Sequence, residues 1–198
     1  MTVSTFEIAS AADDGSGYKT GGSYPPGSAY NVEDGATCWA WKGATNNEVD
    51  VSFVRWDTSA IADGDDVSDV KVRIFISAKN DADGRNLVCD WYDFGGEPSV
   101  DADWTASVGT DAFSVAIASL TAGDWNEITL SNPTNVNKTG YTGLRFGISG
   151  GAATGANDVA IVGYENDPAF APELVVTHAA AGGGGEEGAK RMLLLGVG

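Results

Sequence analysis

The sequence predicts an all-β fold: a jelly-roll-like antiparallel β-sandwich over residues 1–178, followed by an extended C-terminal tail over residues 179–198. Three observations carry that reading. Apolar residues recur at every second position in successive runs of about five to eight residues. Gly, Asn, Asp or Pro bound each run, in a chain with 27 glycines. Helical periodicity is nearly absent. Strands that alternate in this way bury one face each, and two packed sheets bury those faces with the fewest exposed edges.

The first clear strand places Val49, Val51 and Phe53 opposite Asp50, Ser52 and Val54, and runs into Arg55, Trp56 and Asp57. In the second, Val70, Val72, Ile74 and Ile76 share one face while Lys71 and Arg73 take the other. The third alternates Leu87, Cys89 and Trp91 with Val88, Asp90 and Tyr92. The stretch from Asp111 to Leu120 fits a helix through Phe113, Ile117 and Leu120, and fits a strand through Ser114 and Val115 equally well. Trp125 to Leu130, then Leu144, Phe146 and Ile148, then Val159 and Ile161, then Leu174 and Val176 complete a set of about eight strands. Turns are expected at Asp63-Gly64-Asp65, Asp83-Gly84, Ala122-Gly123-Asp124, Lys138-Thr139-Gly140 and Gly150-Gly151.

Phe53-Val54-Arg55-Trp56-Asp57-Thr58-Ser59-Ala60-Ile61, followed by Val67 to Ile76, resembles the core of DNRLRE-type β-sandwich domains. The close at Pro168 to Thr177 resembles that family's last strand. Trp56 stands where the family usually has Phe, and Asp69 where it usually has a small residue. The resemblance spans most of Phe6 to His178 and implies a non-catalytic module. Such modules sit on cell-surface and secreted proteins, some bind polysaccharide, and similar sandwiches occur in bacteriophage virion proteins.

A formal net charge of -17 argues against nucleic acid or an anionic membrane as partner, since phosphates call for Lys and Arg. The N-terminus, Met1 to Glu7, has neither a basic region nor an apolar core, so no signal peptide is expected and synthesis is expected in the cytoplasm. Cys38 and Cys89 read either as a pair or as two small buried hydrophobes; two cysteines make no disulfide framework in a chain this long.

Candidate chemistry is sparse. The single histidine, His178, has no nucleophile or orienting acid near it in sequence, and no G-x-S-x-G or H-E-x-x-H motif occurs. Most carboxylates lie in turns beside Gly, so no enzyme is expected. Across Asn80 to Asn86, an EF-hand spacing would put Lys79 at the first ligand position and Asp90 at the twelfth. A cation in the first position defeats that reading, and the segment reads as a hairpin turn. No metal ligands and no cofactor are expected, although so many carboxylates leave room for a structural calcium.

Two segments point to binding. Trp39 and Trp41 project from one face if they lie in a strand, and Tyr24 and Tyr30 lie in the Gly/Pro-rich segment before them. Such rings stack on sugars beside hydrogen-bonding carboxylates; equally, Trp39, Trp56, Trp91 and Trp125 fill a core between sheets. After the last strand, Gly182 to Gly185 leads into Arg191-Met192-Leu193-Leu194-Leu195, which reads as a flexible leader and an apolar docking peptide. The expected function is a non-enzymatic virion structural protein: a capsid decoration, fibre or tail appendage of a tailed phage. Its expected partners are other virion proteins, in multiple copies, and a host-surface glycan. A carbohydrate-binding module or surface adhesin is the alternative.

Overall fold

A computed structural model describes residues 1–33 and 37–181. The strands run in chain order as β1 (Thr2–Glu7), β2 (Asp14–Lys19), β3 (Asn31–Glu33), β4 (Thr37–Lys42), β5 (Val49–Asp57) and β6 (Asp65–Asp81). They continue as β7 (Asn86–Trp91), β8 (Phe113–Ala116), β9 (Asp124–Thr129), β10 (Tyr141–Ile148), β11 (Asn157–Val162) and β12 (Glu173–Ala180). Among the described residues the only helical pieces are short 3-10 turns. The segment that fitted helix and strand equally is β8 followed by one such turn, Ile117–Ser119.

All pairings are antiparallel, in the order β1-β12-β6-β11-β4-β5-β10-β7-β8. β2 lies on the other edge of β5 and carries β3, while β9 lies on the second edge of β6. The expected antiparallel all-β class is therefore the observed one, built as one curled sheet, a half-barrel. Its organising element is β6, at 17 residues far longer than the expected strands. β12 pairs with its first half and β11 with its second, with register shifts at Thr177/His178 and Ala160/Ile161. Such irregularities bend a strand, letting one strand serve both halves of a curled sheet.

The curl closes one main core. Val70, Val72, Ile74 and Ile76 of β6 and Leu174 and Val176 of β12 share a cluster with Val54 and Trp56 of β5. Leu87 and Cys89 of β7 and Leu144 and Phe146 of β10 complete it. Trp56 is 1% exposed, and its Nε1 donates to the Pro172 carbonyl at 2.9 Å. Cys89 is a free, buried thiol whose pKa burial holds well above its ordinary value.

One expectation needs correction. β5 was predicted to be half-buried, yet nearly all of it is buried on both faces. Its second face carries Val51 and Phe53, which pack with Phe94 and against Tyr92, Trp104 and Val108. The long β7–β8 connection supplies most of that cover, and polar contacts hold it down. Arg145 Nη2 pairs with Asp90 at 2.9 Å, Arg145 Nη1 donates to the Asp103 carbonyl, and the Tyr92 hydroxyl donates to Asp103 Oδ1 at 2.6 Å.

β2, with sequence DGSGYK, carries little strand signal because glycine is depleted in strands. The fold explains Gly17: a Cβ there would lie 1.9 Å from the Tyr30 hydroxyl, which is 2.6 Å from Ser99 Oγ. Gly17→Ala is expected to lower stability by about 1–3 kcal/mol, because the Tyr30 ring must be pushed off the strand. Urea unfolding measures this, and an unchanged midpoint would contradict the packing.

Candidate functional site

The aromatic residues expected to share a platform divide into two sets. Trp39 and Trp41 lie on β4, two residues apart, with ring centroids 6.2 Å apart and planes at 81°. Together with Glu33, Glu48 and Asp50 they line a cleft of about 200 Å³. Sheet register assembles it: Trp41 pairs directly with Asp50 across β4 and β5, and Glu33 ends β3, which reaches β5 through β2. Glu48 closes the tight β4–β5 connection, whose Gly43 N–H donates to the Glu48 carbonyl at 3.0 Å. Asn46 and Asn47 adopt positive φ there (56° and 46°), a conformation Asn tolerates better than most residues. A second, larger hollow of about 460 Å³ shares Trp41 and Glu48 and continues over Gly43 to Ala156. Trp41 thus stands between two adjoining depressions.

Tyr24 and Tyr30 do not line the cleft. The Tyr24 hydroxyl donates to the Ala106 carbonyl at 3.0 Å and accepts from Lys42 Nζ at 3.2 Å. Tyr30 covers Gly17, and burial raises its phenol pKa to about 12. Both tyrosines fasten loops to the sheet. Of the other tryptophans, Trp56 fills the core and Trp91 packs against it. Trp125 makes an edge contact with Phe75.

The electrostatics of the cleft are unusual. Asp50 is 5% exposed, and among the described residues its Oδ1 has no hydrogen-bond partner. Burial, reinforced by the charges of Glu33 and Glu48, pushes its pKa up to about 9, so the carboxyl is neutral at pH 7. Burial also raises Glu33, against the opposing effect of a hydrogen bond from Ser16 Oγ at 3.1 Å. The Trp41 Nε1–H is likewise buried without an acceptor among the described residues. Buried polar atoms are almost always paired, and here two without a partner among the described residues sit on cross-strand neighbours. The sequence signal for Asp50 was an acid flanked by Val49 and Val51 in an apolar run; Glu33 and Glu48 carried none.

Tertiary structure gives His178 partners that its sequence neighbours do not. Its Nε2 lies 3.0 Å from Ser4 Oγ and its Nδ1 2.6 Å from Asp65 Oδ2. Ser4 sits within regular β1, not on a strand-to-helix turn, and the aromatic cleft lies toward the other end of β6. The arrangement reads as a polar lock joining β1, β12 and β6. Among the described residues no group of three His, Cys, Asp or Glu side chains is placed to hold a metal. In the Asn80–Asn86 turn, Asp83 accepts from Thr154, Asn157 and Arg85, and these bonds keep its pKa well below the carboxylate range. Among the described residues no helix is long and apolar enough to cross a membrane. The docking residues Arg191, Met192, Leu193, Leu194 and Leu195 lie outside the described residues.

No protein-family model matches the chain, and no curated protein is significantly similar to it.

Proposed function

We propose that this chain is a non-enzymatic, virion-borne β-module, a capsid decoration, fibre or tail appendage, that touches host-surface glycan through the Trp39–Trp41 cleft. Residues 191–195 dock it on the particle. The observation that carries the binding half is a pair of buried polar atoms, Trp41 Nε1 and Asp50 Oδ1, that have no partner among the described residues and lie beside two perpendicular indole rings in a cleft. Sugars offer flat faces for rings and hydroxyls that both donate and accept, which is what such a site lacks.

The placement of the two ends supports the anchored half. Ala181 N–H donates to the Gly64 carbonyl, so the chain leaves toward the tail beside the start of β6. Trp41 and Trp39 connect through Asp158 and Ala160 of β11 to Asn80 and Ala78 near the end of β6. From Asp65 to Asn80 the strand covers up to about 50 Å at about 3.3 Å per residue. A module held at one end therefore presents its cleft at the other. The DNRLRE-like motif residues lie in and around β5, β6 and β12, and a jelly-roll-like sandwich arrangement of the curled sheet belongs to the same proposal.

Affinity-gel electrophoresis against host polysaccharides tests the cleft. Retardation is expected for the full chain and is expected to disappear in Trp41→Ala; retardation that survives that change would sink the site. A chain ending at residue 181 is expected to fold yet fail to join particles. Normal incorporation of that chain would instead favour a free carbohydrate-binding module or surface adhesin.

A further inference from the structure

The geometry points to selection by charge within the aromatic cleft: we propose that it takes an alkylammonium group carried on a glycan, from an amino sugar or a choline substituent. This rests on the glycan-binding reading and narrows it. Trp39 and Trp41 meet nearly at right angles, forming two walls of a corner. A neutral sugar stacks on one flat face and gains little from a perpendicular second wall. A cation gains from both, because each indole face carries negative potential.

Glu33 and Glu48 add charge of the same sign, and the neutral Asp50 carboxyl adds an oxygen acceptor. Glu33, Glu48 and Asp50 are the other described residues of the cleft, with no Lys or Arg among them. Lysines and arginines elsewhere pair with carboxylates such as Asp13, Asp90, Asp101 and Glu173, and among the described residues no ion pair reaches these three acids. Acidic clusters alone are commonplace. Here Asp50 is almost fully buried with an oxygen that nothing among the described residues satisfies. A cation entering the corner would give that oxygen a partner and both glutamates a counter-charge, while Trp41 Nε1–H remains for a hydroxyl of the same ligand.

The test is titration of the full chain, followed by calorimetry, with choline, its uncharged isostere 3,3-dimethylbutan-1-ol, D-glucosamine, D-glucose and a trimethyl-lysine peptide. Choline or glucosamine is expected to bind about tenfold more tightly than its neutral counterpart, as cation–π contact with two indole rings allows. That preference is expected to vanish in Trp39→Ala and to shrink in Glu48→Gln, which keeps shape and removes charge. Choline ahead of glucosamine identifies a choline substituent as the source, and the reverse identifies an amino sugar. Equal binding of charged and neutral partners would overturn charge selection while leaving glycan binding standing. Tightest binding of the peptide would overturn the glycan assignment, and no binding by any of the five would overturn the site. Should Trp39→Ala fail to fold, an undiminished preference in Glu48→Gln would by itself refute the proposal.

Discussion

The protein is expected to unfold at a higher temperature at pH 5 than at pH 8.5. Two carboxyls set the direction. Burial, opposed by a hydrogen bond from the Tyr164 N–H and aided by Glu165, Glu97 and Asp13, raises Asp14 to about 7. Burial with Glu33 and Glu48 raises Asp50 to about 9. In the unfolded chain both titrate near about 4. Between that value and the folded one the native state holds more protons, so stability falls as pH climbs. The Asp14 contribution is gone by about pH 7 and that of Asp50 by about pH 9. Each pH unit crossed removes about 1.4 kcal/mol per group, so the loss is on the order of several kcal/mol. On the acid side Asp83 acts oppositely, because its depressed pKa makes its contribution vanish as protons arrive. An optimum on the acid side of neutrality follows. Calorimetric scans at pH 5, 7 and 8.5 check it, and Asp50→Asn is expected to flatten the slope above pH 7. A melting temperature that rises with pH over this range would show that the two carboxyls are not buried as described.

The second large effect is expected from Lys42→Ala, a loss on the order of 3–5 kcal/mol. Lys42 is 1% exposed, and its ammonium donates to the Gly150 carbonyl at 2.6 Å, the Ala106 carbonyl at 3.2 Å and the Tyr24 hydroxyl at 3.2 Å. One strand residue thus fastens three loops that are distant in sequence. Its removal takes the short bond from the Gly150 carbonyl at about 1–3 kcal/mol, while the Tyr24 hydroxyl still serves Ala106, and empties the space of a buried stem. Lys42→Met refills the stem and isolates the hydrogen-bond part. Burial, reinforced by Arg85, lowers the Lys42 pKa to about 8. Between about 8 and 10.5 the unfolded chain holds more protons at this site, so its contribution to stability grows with pH. The wild-type decline should therefore level off between about pH 8 and 9, where in Lys42→Met it should continue until Asp50 has titrated. Urea midpoints for the three proteins decide the matter; a Lys42→Ala loss under about 1 kcal/mol would mean that the loops are held by other contacts.

The strands with period-two apolar patterns were legible because that signal is local. Val70, Val72, Ile74 and Ile76 all lie at 0% exposure on the face assigned to them, and Leu174 and Val176 join the same core. β2 and β3 were not legible. The glycines of β2 exist for close approach by Tyr30 and Glu97, and β3 is three residues long. In the cleft, the common face of Trp39 and Trp41 was readable from their spacing. Its acidic lining was not, because Glu33, Glu48 and Asp50 reach it through strand register and a turn. Tyr24 and Tyr30 stood with them by composition, and only tertiary structure shows that their hydroxyls meet Ala106, Lys42 and Ser99 away from the cleft.

By itself the sequence determined an acidic, antiparallel all-β chain and the inward face of its main strands, since side-chain alternation needs nothing beyond the strand's own residues. Tertiary structure alone decided which edges pair, what covers the second face of β5, and how His178 meets Ser4 and Asp65 across separations of 174 and 113 residues. Register, loop cover and carboxyl pKa depend on burial among distant segments, and no local pattern encodes which segments those are.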